Sequence, residues 1–176
     1  LGSNSLGSAQ APVVLFPATD DAGPAQGVKL GEVAPDFSLA NQFGEPISLS
    51  GLRGSPVVLV FYPFAFSGIC TGELCQLSEN LADFQARGVR LLAISVDSKY
   101  TLRSYARAEG FTFDLLADFW PHGEVASRYG VFDAQLGMAG RSTFALDRAG
   151  VVRDSFSTPT GQARSLERYR QSLAAL

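Results

Sequence analysis

Sulfur and imidazole are scarce in this chain of 176 residues, which holds two cysteines, one methionine and one histidine, with a single tryptophan. Two cysteines are too few for a disulfide scaffold. Cys70 and Cys75 have neither the spacing of a zinc ribbon nor that of a C-x-x-C redox pair. A metal site would have to combine His122 with carboxylates that show no ligand spacing, so no metal is expected. Basic clusters are missing too. The 14 Lys and Arg and the 17 Asp and Glu are interspersed, with a net charge of -3 and a pI near 5.1, so nothing points to nucleic acid or an anionic membrane as partner. No apolar run reaches the roughly 18 residues that a spanning helix needs. The strongest, Val57 to Phe66, contains Pro63 and reads as a buried strand with its exit.

What is present is core material, since 46% of the residues are hydrophobic, enough for one globular domain of this length. Residues 1–26 differ, being rich in Gly, Ser, Ala and Pro. They begin without methionine and repeat Leu-Gly-Ser loosely at Leu1 and Leu6, which reads as a flexible extension, an expression remnant or a processed end. Residues 27–176 are the expected domain.

Strand and helix patterns alternate through that domain. A short hairpin is expected around Asn41 to Pro46, between Ser38-Leu39 and Ile47 to Leu49. Val57 to Tyr62 and Val89 to Val96 are β-branched and aliphatic runs of the kind buried on both sheet faces. Leu74, Leu77, Leu81 and Phe84 follow at helical intervals and predict one amphipathic helix from about Cys70 to Gly88. Further helices are predicted at Thr101 to Glu109, Gly123 to Tyr129 and Gln162 to Leu176, and strands at Phe113 to Leu116, Thr143 to Asp147 and Val151 to Phe156. Two βα units, a hairpin and a last helix indicate an α/β sandwich with a mixed sheet.

The strand-to-helix junction Pro63-Phe64-Ala65-Phe66-Ser67-Gly68-Ile69-Cys70 places a thiol at a predicted helix start. The first N–H groups of a helix lack internal partners and carry the positive end of its dipole, so a thiolate is stabilised there. A lone cysteine on an apolar stripe is otherwise a small buried hydrophobe.

Pro63-x-x-x-Ser67-x-x-Cys70 resembles the active-site signature of the peroxiredoxins, thiol peroxidases on an elaborated thioredoxin fold. Arg141-Ser142-Thr143-Phe144 resembles its second half, and Ala34-Pro35-Asp36-Phe37 the family's opening motif. Asp118 to Gly123 and Tyr129-Gly130-Val131-Phe132 are similar to the alkyl hydroperoxide reductase E group. The resemblance spans about Leu30 to Leu176 and implies a thioredoxin-like α/β sandwich, its mixed central sheet flanked by helices. It also implies a peroxide substrate and a thiol reductant such as thioredoxin, a glutaredoxin-like protein or a low-molecular-weight thiol. A homodimer is implied as well, with no bound cofactor. A free reactive thiol is most simply kept in the cytoplasm.

Each matched residue has a physical task. Cys70 attacks a peroxide oxygen as thiolate and becomes a sulfenic acid. Arg141 offers a planar fork that can hold the thiolate and a peroxide oxygen together. Ser67 sits where a helix-capping hydroxyl belongs and can also bond the peroxide. Pro63 has no N–H and can shield the sulfur. Glu73 either orients Arg141 or is a solvated first-turn acid. Phe64, Phe66 and Phe119 are expected in the core, or as an apolar wall for an alkyl substrate. His122 and Trp120 are expected to shape a loop, with no catalytic part.

Cys75 departs from a one-cysteine pattern. Cys70-x-x-x-x-Cys75 resembles the spacing of the bacterioferritin comigratory proteins, in which the later cysteine resolves the sulfenic acid as an intramolecular disulfide. In an intact helix, residues five apart have Cα atoms separated by about 8 to 9 Å. A disulfide needs less than about 7 Å, so the helix would have to unwind locally, which Gly68 and Gly72 ease. The alternatives are a spectator Cys75 near Ser78, Glu79 and Ala82 with recycling by an external thiol, or a non-enzymatic redox sensor or holdase. A thioredoxin-type oxidoreductase is disfavoured by the missing C-x-x-C.

Overall fold

A computed structural model describes residues 27–176, so the expectations for residues 1–26 lie outside the described residues. Its frame is a seven-stranded sheet ordered β2-β1-β5-β4-β3-β8-β9. The strands are β1 Ser38–Asn41, β2 Pro46–Ser48, β3 Val57–Phe61, β4 Arg90–Ser95, β5 Asp114–Ala117, β8 Arg141–Leu146 and β9 Val152–Thr158. β3, β4 and β5 run parallel, and β1, β2, β8 and β9 add antiparallel pairings, giving the expected mixed sheet. A separate pair, β6 Phe132–Asp133 and β7 Met138–Ala139, was not predicted, being two residues per strand and too short for any periodicity.

The continuous apolar run of β3 is explained by layers on both faces of the sheet. Alternate side chains point opposite ways, so Val58, Val60 and Tyr62 enter one core while Val57, Leu59 and Phe61 enter the other. On the first face pack α1 Gly68–Glu79, α2 Leu81–Ala86, α3 Lys99–Glu109 and α5 Leu166–Leu173, through Leu74, Phe84, Leu102 and Tyr169. On the second, α4 Glu124–Arg128 contributes Val125 and Ala126 beside Phe37 and Tyr129. Burying each such side chain contributes about 1.5 to 3 kcal/mol, so this double-sided core is the main support of the fold.

The single helix expected from Cys70 to Gly88 is two helices. At Asn80 the backbone leaves the helical region, and the Asn80 amide side chain donates to the Gln76 carbonyl at 2.9 Å. That local bond competes with the helix ladder, which is why asparagine favours helix ends. The hydrophobic spacing continues across the break, since Leu77 and Phe84 still face one core. Other ends follow ordinary capping: the Ser98 and Ser165 hydroxyls each accept a backbone N–H at 3.2 Å, from Thr101 and Arg168. The last helix therefore starts at Leu166, four residues later than its predicted Gln162 start, and leaves Arg164 in a loop.

Candidate active site

The site is assembled where β3 ends and α1 begins. Tyr62 still donates its N–H to the Ile94 carbonyl at 3.1 Å, but Pro63 has no N–H to continue the ladder, and the chain leaves the sheet. The following loop is tied down by Asp97, whose Oδ2 accepts the Ala65 N–H at 2.8 Å and the Ser95 hydroxyl at 2.7 Å. Phe66 adopts φ 65, a left-handed conformation unusual for a bulky residue. Its exposed ring packs on the Tyr105 ring at 4.8 Å. The loop is therefore held from both sides.

Ser67 is the residue before α1, with extended φ and ψ, and its carbonyl accepts the first helical N–H, from Thr71, at 2.9 Å. Its hydroxyl makes no capping bond. The Oγ atom is buried without a partner, so the expected capping role is corrected and the hydroxyl is left available for a ligand. Cys70, three residues on, is fully buried in the first turn, where the backbone N–H groups have no intrahelical acceptors. Pro63 is buried as well.

Arg141 reaches the sulfur because of strand register. β8 pairs antiparallel with β3, Ser142 opposite Phe61, so Arg141 at the start of β8 stands beside the residue that ends β3. Its Nη2 donates to Cys70 Sγ at 3.2 Å, and its Nε donates to the Thr160 carbonyl at 2.7 Å, which fixes the plane of the guanidinium. Nη1 has no hydrogen-bond acceptor and lies 3.8 Å from Glu73 Oε2. One donor of the fork is thus unused next to the thiol.

Glu73 is buried, which removes the solvated-acid alternative. Its closest partner is one the sequence reading missed. Arg164 donates its backbone N–H to Glu73 Oε2 and its Nε to Oε1, both at 2.8 Å, with Nη2 at 2.5 Å from Oε1. The Tyr169 hydroxyl donates to the same Oε1 at 3.0 Å, and burial pushes its phenol far above the usual range, so it stays a donor. Arg164 Nη1 donates to Thr143 Oγ1 at 3.0 Å. Two buried guanidiniums therefore share one carboxylate, and the cluster carries one positive charge more than Glu73 neutralises. A negative charge arriving beside Arg141 would complete the balance, which matters because an unpaired buried charge is costly. Arg164 falls inside the last helix predicted from Gln162 to Leu176, and no motif marks it there. Thr143 stands in the Arg141-Ser142-Thr143-Phe144 motif, whose resemblance assigns it no role.

Cys75 is half-buried, and both cysteines are free thiols. α1 is intact across Cys70 and Cys75. The Cys75 Sγ donates to Glu109 Oε2 at 3.7 Å, a neighbour on α3 that the reading around Ser78, Glu79 and Ala82 did not include. Burial and then the Glu109 charge push the Cys75 thiol above its usual range. His122 does not take part; its Nε2 bonds the Gly137 carbonyl at 2.7 Å and its ring meets Phe132 edge-on, as expected of a loop residue. Phe64, Phe66 and Phe119 are exposed, not in the core, and Trp120 is 82% exposed.

Comparisons with known proteins bear on the family and the fold. The AhpC/TSA family model matches residues 30–155. The chain is 45% identical over 150 residues to alkyl hydroperoxide reductase E of Mycobacterium tuberculosis, covering 85% of this chain and 98% of that protein. It is 34% identical over 153 residues to peroxiredoxin 2 of Thermoplasma acidophilum, covering 84% and 75%. Among solved structures, Enterococcus faecalis AhpC superposes with a TM-score of 0.77 at 27% identity, over 83% of this chain and 90% of that one. The peroxidoxin BcpB of Mycobacterium tuberculosis superposes with a TM-score of 0.73 at 31% identity, over 84% and 96%.

Proposed function

Because the chain belongs to the AhpC/TSA family and is a thiol-dependent peroxidase of the peroxiredoxin type on a thioredoxin-like fold, we propose that Cys70 is the thiol that attacks peroxide. The observation that carries this reading is the 3.2 Å bond from Arg141 to the Cys70 sulfur at the start of α1. The thiolate attacks the nearer peroxide oxygen, the O–O bond breaks, and the departing oxygen takes a proton as water or alcohol. Sulfenic acid remains on Cys70. Charge developing on the two oxygens is met by Arg141, which has an unused Nη1, and by the unpartnered Ser67 hydroxyl. Pro63 keeps bulk water from the sulfur, and Glu73 with Arg164 holds Arg141 in place.

In this proposal Cys75 resolves the sulfenic acid as an intramolecular disulfide after the first turns of α1 unwind, and an external thiol then reduces the disulfide. A second reading, recycling of Cys70 by an external thiol with Cys75 a bystander, draws on the intact α1 and on the proton held on Cys75 by burial and Glu109. Thioredoxin, a glutaredoxin-like protein or a low-molecular-weight thiol would serve as reductant. Free thiols suit a reducing compartment, the cytoplasm, and no helix among the described residues is long and apolar enough to cross a membrane.

Reduced protein treated with one equivalent of hydrogen peroxide separates the readings. Loss of both thiols with no cross-link between chains supports the disulfide, whereas a free Cys75 beside a sulfenic Cys70 selects the external thiol. Cys70→Ser is expected to abolish peroxide consumption, and full turnover by that variant would remove Cys70 from the chemistry.

A further inference from the structure

The two cysteines sit in opposite electrostatic surroundings. Cys70 faces the Arg141 cation, while Cys75 on the same helix donates its S–H to the Glu109 carboxylate at 3.7 Å. Glu109 is the last residue of α3, just before Gly110 closes that helix in the left-handed conformation. An acid there opposes the negative end of the helix dipole, so the stability of α3 gives no reason for it. Glu79, the last residue of α1, adds a second negative charge near the thiol, and Tyr105, one turn before Glu109, is the other titratable group on α3 that bears on it. Burial pushes Tyr105 up to about 12, so it is neutral at physiological pH. Cys75 is therefore held among carboxylates and a neutral phenol.

We propose that Glu109 restrains Cys75 by holding its proton, so that Cys75 does not compete with Cys70 for peroxide and closes the disulfide only as fast as that proton is given up. The proposal rests on the reading in which Cys75 resolves Cys70. In the closing step the Cys75 sulfur attacks the Cys70 sulfenic sulfur, the S–S bond forms as the S–O bond breaks, and the hydroxyl leaves as water with the Cys75 proton. The two thiols together supply the two electrons taken by the peroxide, and no other oxidant is required. A thiol that keeps its proton is a poor nucleophile for that step, so Glu109 is a positioning residue that sets the rate of closure without touching peroxide.

The test follows disulfide formation by mass spectrometry after acid quench, using reduced protein and one equivalent of hydrogen peroxide across a range of pH. In Glu109→Gln the rising limb of the closure rate is expected to move to lower pH. For each unit it moves, closure at neutral pH speeds up by about threefold, a tenfold gain in thiolate less the loss in nucleophilicity. Glu109→Asp is expected to keep the wild-type limb. Alkylation of Cys75 in a Cys70→Ser background reads the same proton without the disulfide, and its limb is expected to shift with Glu109→Gln as well. Superimposable limbs in both assays, or closure slowed at every pH in Glu109→Gln, overturn the proposal while a disulfide still forms. A wild-type protein that forms no disulfide at any pH sinks the resolving reading, and this proposal with it.

Discussion

Arg141 is held by a backbone carbonyl on one side and meets the Cys70 sulfur on the other, so its direction is set before any peroxide arrives. Preorganised donors of this kind act where charge develops, and removing one costs about a hundredfold or more in rate. Lysine keeps the charge but loses the fork. Arg141→Lys is therefore expected to lower kcat/KM for hydrogen peroxide by about a hundredfold with little change in melting temperature, and wild-type kinetics in that variant would show that charge alone suffices. Pro63, Ser67, Cys70 and Arg141 could all be read from the sequence because they lie in two short motifs. Arg164 could not, since its link to Glu73 spans 91 positions and no local pattern marks it.

At the scale of elements, α1 must serve two geometries if Cys75 is to meet Cys70. α3 opposes the change by two contacts one turn apart: the Tyr105 hydroxyl donates to Thr71 Oγ1 at 3.0 Å, and Glu109 accepts from Cys75. A bond of this type contributes about 1 kcal/mol. Tyr105→Phe is expected to raise hydrogen exchange in the first turns of α1 and to speed disulfide closure about fivefold at unchanged pH dependence; equal exchange in both proteins would show that Tyr105 does not hold the helix. Elsewhere, α5 is pinned to β9 by Arg168, whose two terminal nitrogens donate to Asp154 at 2.5 and 2.7 Å. That pairing holds the Asp154 carboxyl below its ordinary value in the folded state. Its contribution is therefore fully present above the unfolded-state pKa of about 4 and is lost as pH falls through the lower folded value. Asp154→Asn is expected to lower the melting temperature near neutral pH, and the gap from wild type should close in strong acid. A constant gap would assign Asp154 a role independent of charge.

For the molecule as a whole, the exposed aromatics are the feature that the core does not explain. Phe119, Trp120 and Tyr100 line an open groove of about 610 Å³ with Ser38 to Ala40. Contiguous apolar surface of this sort marks interaction sites, and a homodimer of the kind the family resemblance implies would bury the loop around Trp120 there. If it does, Trp120→Glu is expected to shift sedimentation from dimer to monomer without unfolding, and a monomeric wild-type protein would rule that dimer out. What the chain alone determined was the strands of the sheet, the double-sided burial of β3, the thiol at a helix start and the distant arginine, because each is written in local periodicity or a short motif. Only the tertiary structure decided that Ser67 does not cap α1, that Glu73 is shared by two arginines, and that Cys75 lies against Glu109. The last two depend on strand register and helix packing between residues far apart in the chain, which no window of sequence contains.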